Sequence, residues 1–153
     1  MENLKIRAFE DNNIPIIKEW LEKSHIKKWY EHPEDWLYEI NERHGEFSFI
    51  KHFIIIYNDK PIGFCQYYRC REFDSEWSGE GTYSIDYLIG EEEYLKRGFG
   101  KAAVRILIET VFSLEDSRII IVQPEQENIP SCRTLLASGF AYNTDKEYYY
   151  ISK

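Results

Sequence analysis

The segment from Thr82 to Glu109 constrains this chain more than any other. It reads as an apolar run (Ile85, Leu88, Ile89) with one embedded carboxylate, Asp86. A charged linker follows (Glu91, Glu92, Glu93), then Lys96-Arg97-Gly98-Phe99-Gly100-Lys101, then a stretch with apolar residues at helical spacing (Ala103, Val104, Leu107, Ile108). The order is therefore strand, basic glycine turn, helix. Glycines leave backbone N–H groups uncovered, and a helix N-terminus adds partial positive charge, so the turn is suited to an anion and best to phosphate. Lys96, Arg97 and Lys101 place full charges beside it, in a chain whose net charge is −8.

Two familiar phosphate motifs are excluded by spacing. Gly98-x-Gly100-x-x-Ala103 superficially fits a dinucleotide fingerprint, but that turn follows its strand at once. Here the charged residues Glu91 to Arg97 intervene, and no βαβ unit precedes. A P-loop needs Ser or Thr after its lysine to reach magnesium; Lys101 is followed by Ala102.

The rest of the chain reads as alternating elements. Leu4 to Phe9 is a strand; Pro15 to Leu21 is a helix introduced by Asp11, Asn12 and Asn13 and ending near Ser24 to Lys28; Trp29 and Tyr30 lie in a loop. Pro33 to Arg43 is a helix with Gly45 as its stop. Phe47 to Tyr57 and Pro61 to Arg71 form a hairpin about Asn58-Asp59-Lys60. Glu72 to Gly81 is an acidic loop. Tyr83 to Ile89 is the central strand and Gly98 to Leu114 the long helix. Arg118 to Val122 is a short apolar strand of the kind that lies beside a parallel neighbour. A short helix, Ser131 to Ser138, and strands Phe140 to Tyr142 and Glu147 to Ile151 close the chain. The expected fold is α/β (α+β): one domain over 1–153, a central mixed and mostly antiparallel sheet, and about four flanking helices.

Composition narrows the partners. The acidic balance argues against nucleic acid, which needs a basic face, and favours a cationic small molecule. Aromatic residues make up 16% of the chain, more than a minimal core needs, so some rings should line a pocket. Cys65, Cys70 and Cys132 match no zinc spacing and His25, His32, His44 and His52 no ligand spacing, so no metal is expected. Neither a signal segment nor an apolar run of membrane-spanning length is present in the sequence, which points to the cytoplasm and to no membrane partner. Tyr148 to Tyr150 should alternate across the last strand, leaving a ring for a dimer contact, so the chain is expected as a monomer or homodimer.

The strand, the basic glycine turn and helix, the next strand and then Asn128 before Gly139-Phe140 together resemble the GNAT acetyltransferase superfamily. Glu19-Trp20-Leu21, Ser24-His25-Ile26, Trp29-Tyr30, Asp59-Lys60-Pro61-Ile62-Gly63, Gln66-Tyr67, Trp77, Ile85-Asp86 and Pro124 look similar to its aminoglycoside 6′-N-acetyltransferase branch. The resemblance implies acetyl-CoA as cosubstrate. Its pyrophosphate would lie on Lys96, Arg97, Gly98, Phe99, Gly100 and Lys101, with Asn128 also at the cofactor. The family often has Arg or Gln three residues before the first glycine, where this chain has Leu95. Backbone around Leu88, Ile89 and Gly90 would meet the thioester oxyanion. Asp86 would act as base or bind the substrate ammonium, helped by burial that raises its pKa. The amine would face Trp29, Tyr30, Glu76, Trp77, Glu80 and Asp86, since carboxylates pair with ammonium groups and rings give flat walls. Trp20 and Trp36 read as core. Many relatives protonate the departing thiolate with a Tyr seven residues after the Asn; here that position is Leu135, so another residue (Tyr87 or Cys132, near in sequence only) or water does so, or the thiolate leaves unassisted. The expected reaction is acetyl transfer to a primary amine of a cationic molecule such as an aminoglycoside, by direct attack in a ternary complex. A lysine, N-hydroxylysine-like or peptide amine, or a weakly active CoA-binding relative, is the alternative.

Overall fold

The computed structural model describes residues 1–70 and 80–153. Seven strands form one sheet: β1 Leu4–Ala8, β2 Ile50–Tyr57, β3 Lys60–Arg69, β4 Thr82–Ile89, β5 Ile119–Val122, β6 Ala141–Asn143 and β7 Tyr148–Ser152. Their order is β1-β2-β3-β4-β5-β7-β6. Every pairing is antiparallel except β4 with β5, so the mixed, mostly antiparallel sheet expected from the sequence is present.

The helices are α1 Ile14–Leu21, α2 Ser24–Lys27, α3 Pro33–Asn41, α4 Phe99–Phe112 and α5 Ile129–Ala137. The first expected helix is thus two pieces, α1 and the single turn α2. They put Ile17, Trp20, Leu21 and Ile26 into a core with Phe64 and Leu88 on one face of the sheet. On the other face, Phe99, Ala103, Val104, Leu107 and Val111 of α4 pack on Ile55, Ile85 and Ile89. Burying these apolar side chains contributes roughly 1.5–3 kcal/mol each.

Turn chemistry explains the joints. Asn58 and Asp59 take φ of 48° and 64°, the left-handed pair that a tight two-residue hairpin requires. Gly98 caps α4 with φ 83°. Side chains there would be strained, and no side chain caps that helix end.

Several details differ from the sequence reading. β2 begins at Ile50, not Phe47, because Phe47 and Phe49 are engaged in turns. Phe47 N–H donates to Glu42 O, and its ring packs against Tyr38 at 5.8 Å, so aromatic content serves local packing there. α3 stops at Asn41, capped at Glu42, before Gly45 is reached. In β7 no tyrosine is left fully exposed: Tyr148 is buried, and Tyr149 packs on Tyr142 at 4.8 Å. Among the described residues no helix is long and apolar enough to cross a membrane.

Candidate active site

The site is made by a split in the sheet. β4 and β5 pair only at Thr82↔Ile119 and Tyr83↔Ile120, and then diverge. Gly90 N–H donates to Ile62 O at 2.8 Å and Cys70 N–H to Thr82 O at 2.9 Å. The even-numbered residues of β4 therefore turn their backbone groups to β3, and the odd-numbered ones face the split. Tyr87 and Ile89 fall on the open side. Their carbonyls are met by side chains: Tyr30 Oη donates to Tyr87 O at 2.9 Å, and His25 Nε2 donates to Ile89 O at 2.9 Å. The N–H groups of Tyr87 and Ile89 are left as the donors facing the split. Of the expected segment Leu88, Ile89 and Gly90, only Ile89 presents its amide here. The Gly90 amide is bonded to Ile62, and a Cβ on Gly90 would lie 2.2 Å from the buried Trp20 ring, which explains the glycine.

A cleft of about 500 Å³ opens over this split. Asp86 lies in it, on the α3 side of the sheet. Gln66 Nε2 donates to Asp86 Oδ2 at 2.9 Å. Burial raises the Asp86 pKa and the Gln66 hydrogen bond opposes that rise. α3 brings Glu39 and Asp35 to the same cleft. The Glu39 pKa is raised, first by burial and then by the nearby Asp86 and Asp35 charges. Trp29, Tyr30 and Trp36 form its aromatic wall. Tyr30 packs edge-on against Trp36 at 5.1 Å, and burial pushes the Tyr30 hydroxyl pKa up. With Glu31 and Glu125 also in its lining, the aromatic cleft holds five carboxylates, which favour a ligand with several positive charges.

Behind Asp86, on the opposite face, Tyr87 also lines the cleft. Its hydroxyl lies 3.3 Å from Ser131 Oγ on α5, and burial raises its pKa. A Cβ on Gly100 would come within 3.3 Å of the Tyr87 ring, so the first turn of α4 packs tightly on the central strand. The first amides of α4 have no partner within the helix. Phe99 is buried, so only its backbone can face a ligand. Lys96 is exposed and Lys101 half-buried. Arg97 lies over Tyr94 and Phe99 at 5.3 and 5.4 Å and donates to Glu93 O at 3.0 Å. Asn128 lines the cleft and caps α5, its Oδ1 accepting from Ser131 N–H at 3.3 Å.

Other expected residues fall elsewhere. Glu80 is exposed in the turn before β4 and does not line the cleft. Glu76 and Trp77 lie outside the described residues. Leu135 is 0% exposed and belongs to the core under α4 with Leu107 and Phe140. The leucine fills that core and does not line the cleft. Cys132 does not line the cleft, its thiol lying 3.9 Å from Glu125 O; of the two donors suggested by the sequence, Tyr87 lines it. Trp36, read as core, forms cleft wall as well as core. Glu39, Asp35 and Ser131 were not singled out by the sequence. Asp35 and Glu39 are one helical turn apart beside Trp36, and that spacing was the available signal.

A family model described as "Acetyltransferase (GNAT) domain" matches residues 10–147. Relatives named aminoglycoside N(6')-acetyltransferase type 1, from Klebsiella pneumoniae and Serratia marcescens, are each 26% identical over 149 residues, covering 91% of this chain and 74% of theirs. Among solved structures, aminoglycoside acetyltransferase AAC(6')-Ib in complex with coenzyme A and kanamycin aligns with a TM-score of 0.83 at 23% identity, covering 98% of this chain and 95% of that one. Spermidine N-acetyltransferase from Vibrio cholerae in complex with CoA and spermine aligns with a TM-score of 0.79 at 16% identity, covering 99% and 96%. The split sheet, the glycine-capped α4 and the span of the family match agree, and the chain belongs to the GNAT N-acetyltransferases, close to their aminoglycoside 6′ branch.

Proposed function

We propose that this enzyme transfers the acetyl group of acetyl-CoA to a primary amine of a polycationic small molecule, of which an aminoglycoside is the leading candidate. The observation that carries the substrate class is the cleft itself: Asp86, Glu39 and Asp35 gathered against Trp29, Tyr30 and Trp36 at the split between β4 and β5. The amide-rich first turn of α4, with Lys96 and Lys101 at its edge, fits the pyrophosphate of the cosubstrate, and Asn128 sits where the thioester arm would pass.

The roles follow from position. Asp86 takes a proton from the substrate ammonium or holds that ammonium until it is lost. The free amine attacks the thioester carbonyl, forming the C–N bond. The oxyanion faces the Ile89 N–H, with the Tyr87 N–H on the same edge. The carbonyl re-forms as the C–S bond breaks, Tyr87 Oη supplies a proton to the departing thiolate, and the surplus proton on the attacking nitrogen is lost through water, which returns a proton to Tyr87. Burial raises the Tyr87 pKa, so the hydroxyl holds its proton until the thiolate forms.

The aligned spermidine enzyme favours polyamines as the second substrate class, since they meet the same carboxylates. A panel of aminoglycosides, polyamines, lysine and N-hydroxylysine derivatives, assayed by CoA release with product mass, separates these. Acetylation of an aminoglycoside with the highest kcat/KM supports the proposal; preference for a polyamine or a lysine derivative reassigns the substrate. CoA binding with no acetylated product in any arm refutes the catalytic reading.

A further inference from the structure

Three residues stand in register across the sheet beneath the cleft. His52 on β2 pairs with Gln66 on β3, and Gln66 pairs with Asp86 on β4. Residues opposite one another in adjacent strands point to the same face, so these side chains form one row. His52 and Gln66 are 6% and 2% exposed. Only one hydrogen bond of the row is closed, from Gln66 Nε2 to Asp86 Oδ2 at 2.9 Å. Both ring nitrogens of His52, Gln66 Oε1 and the Nε of Arg43 are buried without a partner. Buried polar atoms rarely stay unsatisfied, and four in one neighbourhood call for an explanation.

Their chemistry is complementary. Arg43 Nε is a donor only, a neutral imidazole has one acceptor and one donor, and an amide oxygen is an acceptor. Arg43 reaches this neighbourhood through the rings: its guanidinium lies 5.2 Å over Phe9, Phe9 is 6.0 Å from Phe64, and Phe64 is 5.9 Å from His52. Arg43 is itself fixed, donating from Nη1 to Ile40 O and pairing with Asp11. The polarity of the row then follows, because Arg43 can only give a proton. No hydrogen bond joins Arg43 to His52, but the nearby guanidinium charge favours turning the imidazole lone pair towards it and the ring N–H towards Gln66 Oε1. The Gln66 amide cannot flip, and its NH₂ faces the carboxylate.

We propose that His52 is a positioning residue for Asp86: it locks the Gln66 amide, by a small rotation of its ring or through one buried water, so that a donor always faces the carboxylate in the cleft. The row requires a neutral imidazole. Burial and the Arg43 charge hold the His52 pKa down to about 4, in keeping with that requirement. His52 is otherwise faced by Gln66 and Phe64. Asp86 is faced by Gln66 from β3, by Glu39 and Asp35 from α3, and by Tyr30 from the chain after α2. Of these, Gln66 alone supplies a hydrogen bond that lowers the Asp86 pKa.

The inference rests on the catalytic reading of Asp86 but is tested without it. Full-length protein carrying ¹³C-labelled aspartate is titrated by NMR, with the Asp86 signal assigned by its loss in Asp86→Asn. In His52→Phe, which keeps the ring stacking, the Asp86 midpoint moves up by about one pH unit, a hydrogen bond to a charged group being lost. Gln66→Leu moves it as far, the double variant no further, and His52→Asn, which keeps a neutral donor, less than His52→Phe. In the wild type, ¹⁵N-labelled His52 stays a single neutral tautomer at pH 5 with a slowly exchanging N–H. The acidic limb of the kcat/KM profile follows the Asp86 midpoint; a merely structural role would lower the plateau and leave the limb in place. An Asp86 midpoint unmoved by His52→Phe, or a His52 ring that titrates like a free imidazole, overturns the inference. A normal NMR response with no amine acetylated would instead count against the proposed function alone.

Discussion

Replacing Asp86 by Asn should inactivate the enzyme while making it more stable. The change is nearly isosteric, and the Asn side-chain oxygen can still accept from Gln66. What disappears is the ability to take or hold a proton in the cleft. General-base catalysis by a positioned carboxylate is worth about 10²–10⁴-fold in rate, or roughly 3–5 kcal/mol of barrier. Stability moves the other way because the folded state holds the Asp86 proton more tightly than the unfolded chain does, burial being the largest cause. Between the unfolded and the folded pKa the native state binds more protons. The stability contribution of Asp86 is therefore complete at low pH and is lost as pH rises through the folded pKa. Wild type and Asp86→Asn should melt together near pH 3 and separate as pH rises, with the variant higher at pH 7. In a chain of this size, each kcal/mol relieved raises Tm by about 2–4 °C. The assay pairs CoA-release kinetics at saturating acetyl-CoA with melting curves across pH. Turnover within tenfold of wild type would refute the base or ammonium role. A variant that melts below wild type at pH 7 would refute the claim that burial dominates the energetics of this carboxylate.

Other perturbations probe separate parts of the site. Glu39→Gln should raise KM for a polycationic amine several-fold with little change in kcat, an effect that shrinks as salt rises, measured by steady-state kinetics at two ionic strengths. Gly98→Ala should lose about 1–2 kcal/mol by forcing a side chain into the left-handed region, and should raise KM for acetyl-CoA; denaturant melts and acetyl-CoA titrations read both. Leu135→Tyr should give no gain in rate and should destabilise by about 1–3 kcal/mol through overpacking, because position 135 lies under α4; a large rate gain would show that the hydroxyl reaches the thioester after all.

The half of the site proposed for the cofactor was open to sequence reading because it depends on local rules. A strand, a left-handed glycine and a helix N-terminus within one short segment carry their own geometry, and Gly98 and the α4 amides fall where those rules place them. Asp86 was legible for a related reason: a single carboxylate inside an apolar strand must either be satisfied or be used. The acceptor half was not. Glu39 and Asp35 belong to an ordinary-looking amphipathic helix, and which of its faces lines a cleft depends on how α3 sits over β4. The boundary of β2 was misread because Phe47 and Phe49 have strand propensity yet serve turn packing. Leu135 stands in the sequence where many relatives have a Tyr, and only the packing shows that it is buried in the core under α4.

By itself, then, the sequence determined the order of elements, the basic glycine turn and the lone carboxylate of β4, because each is set by neighbours a few residues away. Tertiary structure alone decided where β4 and β5 part and which backbone amides face the opening. It also decided which carboxylates share the cleft and that His52, Gln66 and Asp86 stand in one row. Those are relations between residues distant in sequence. They depend on strand register and helix placement, which hydrophobic burial on both faces of the sheet fixes only when the whole chain has packed.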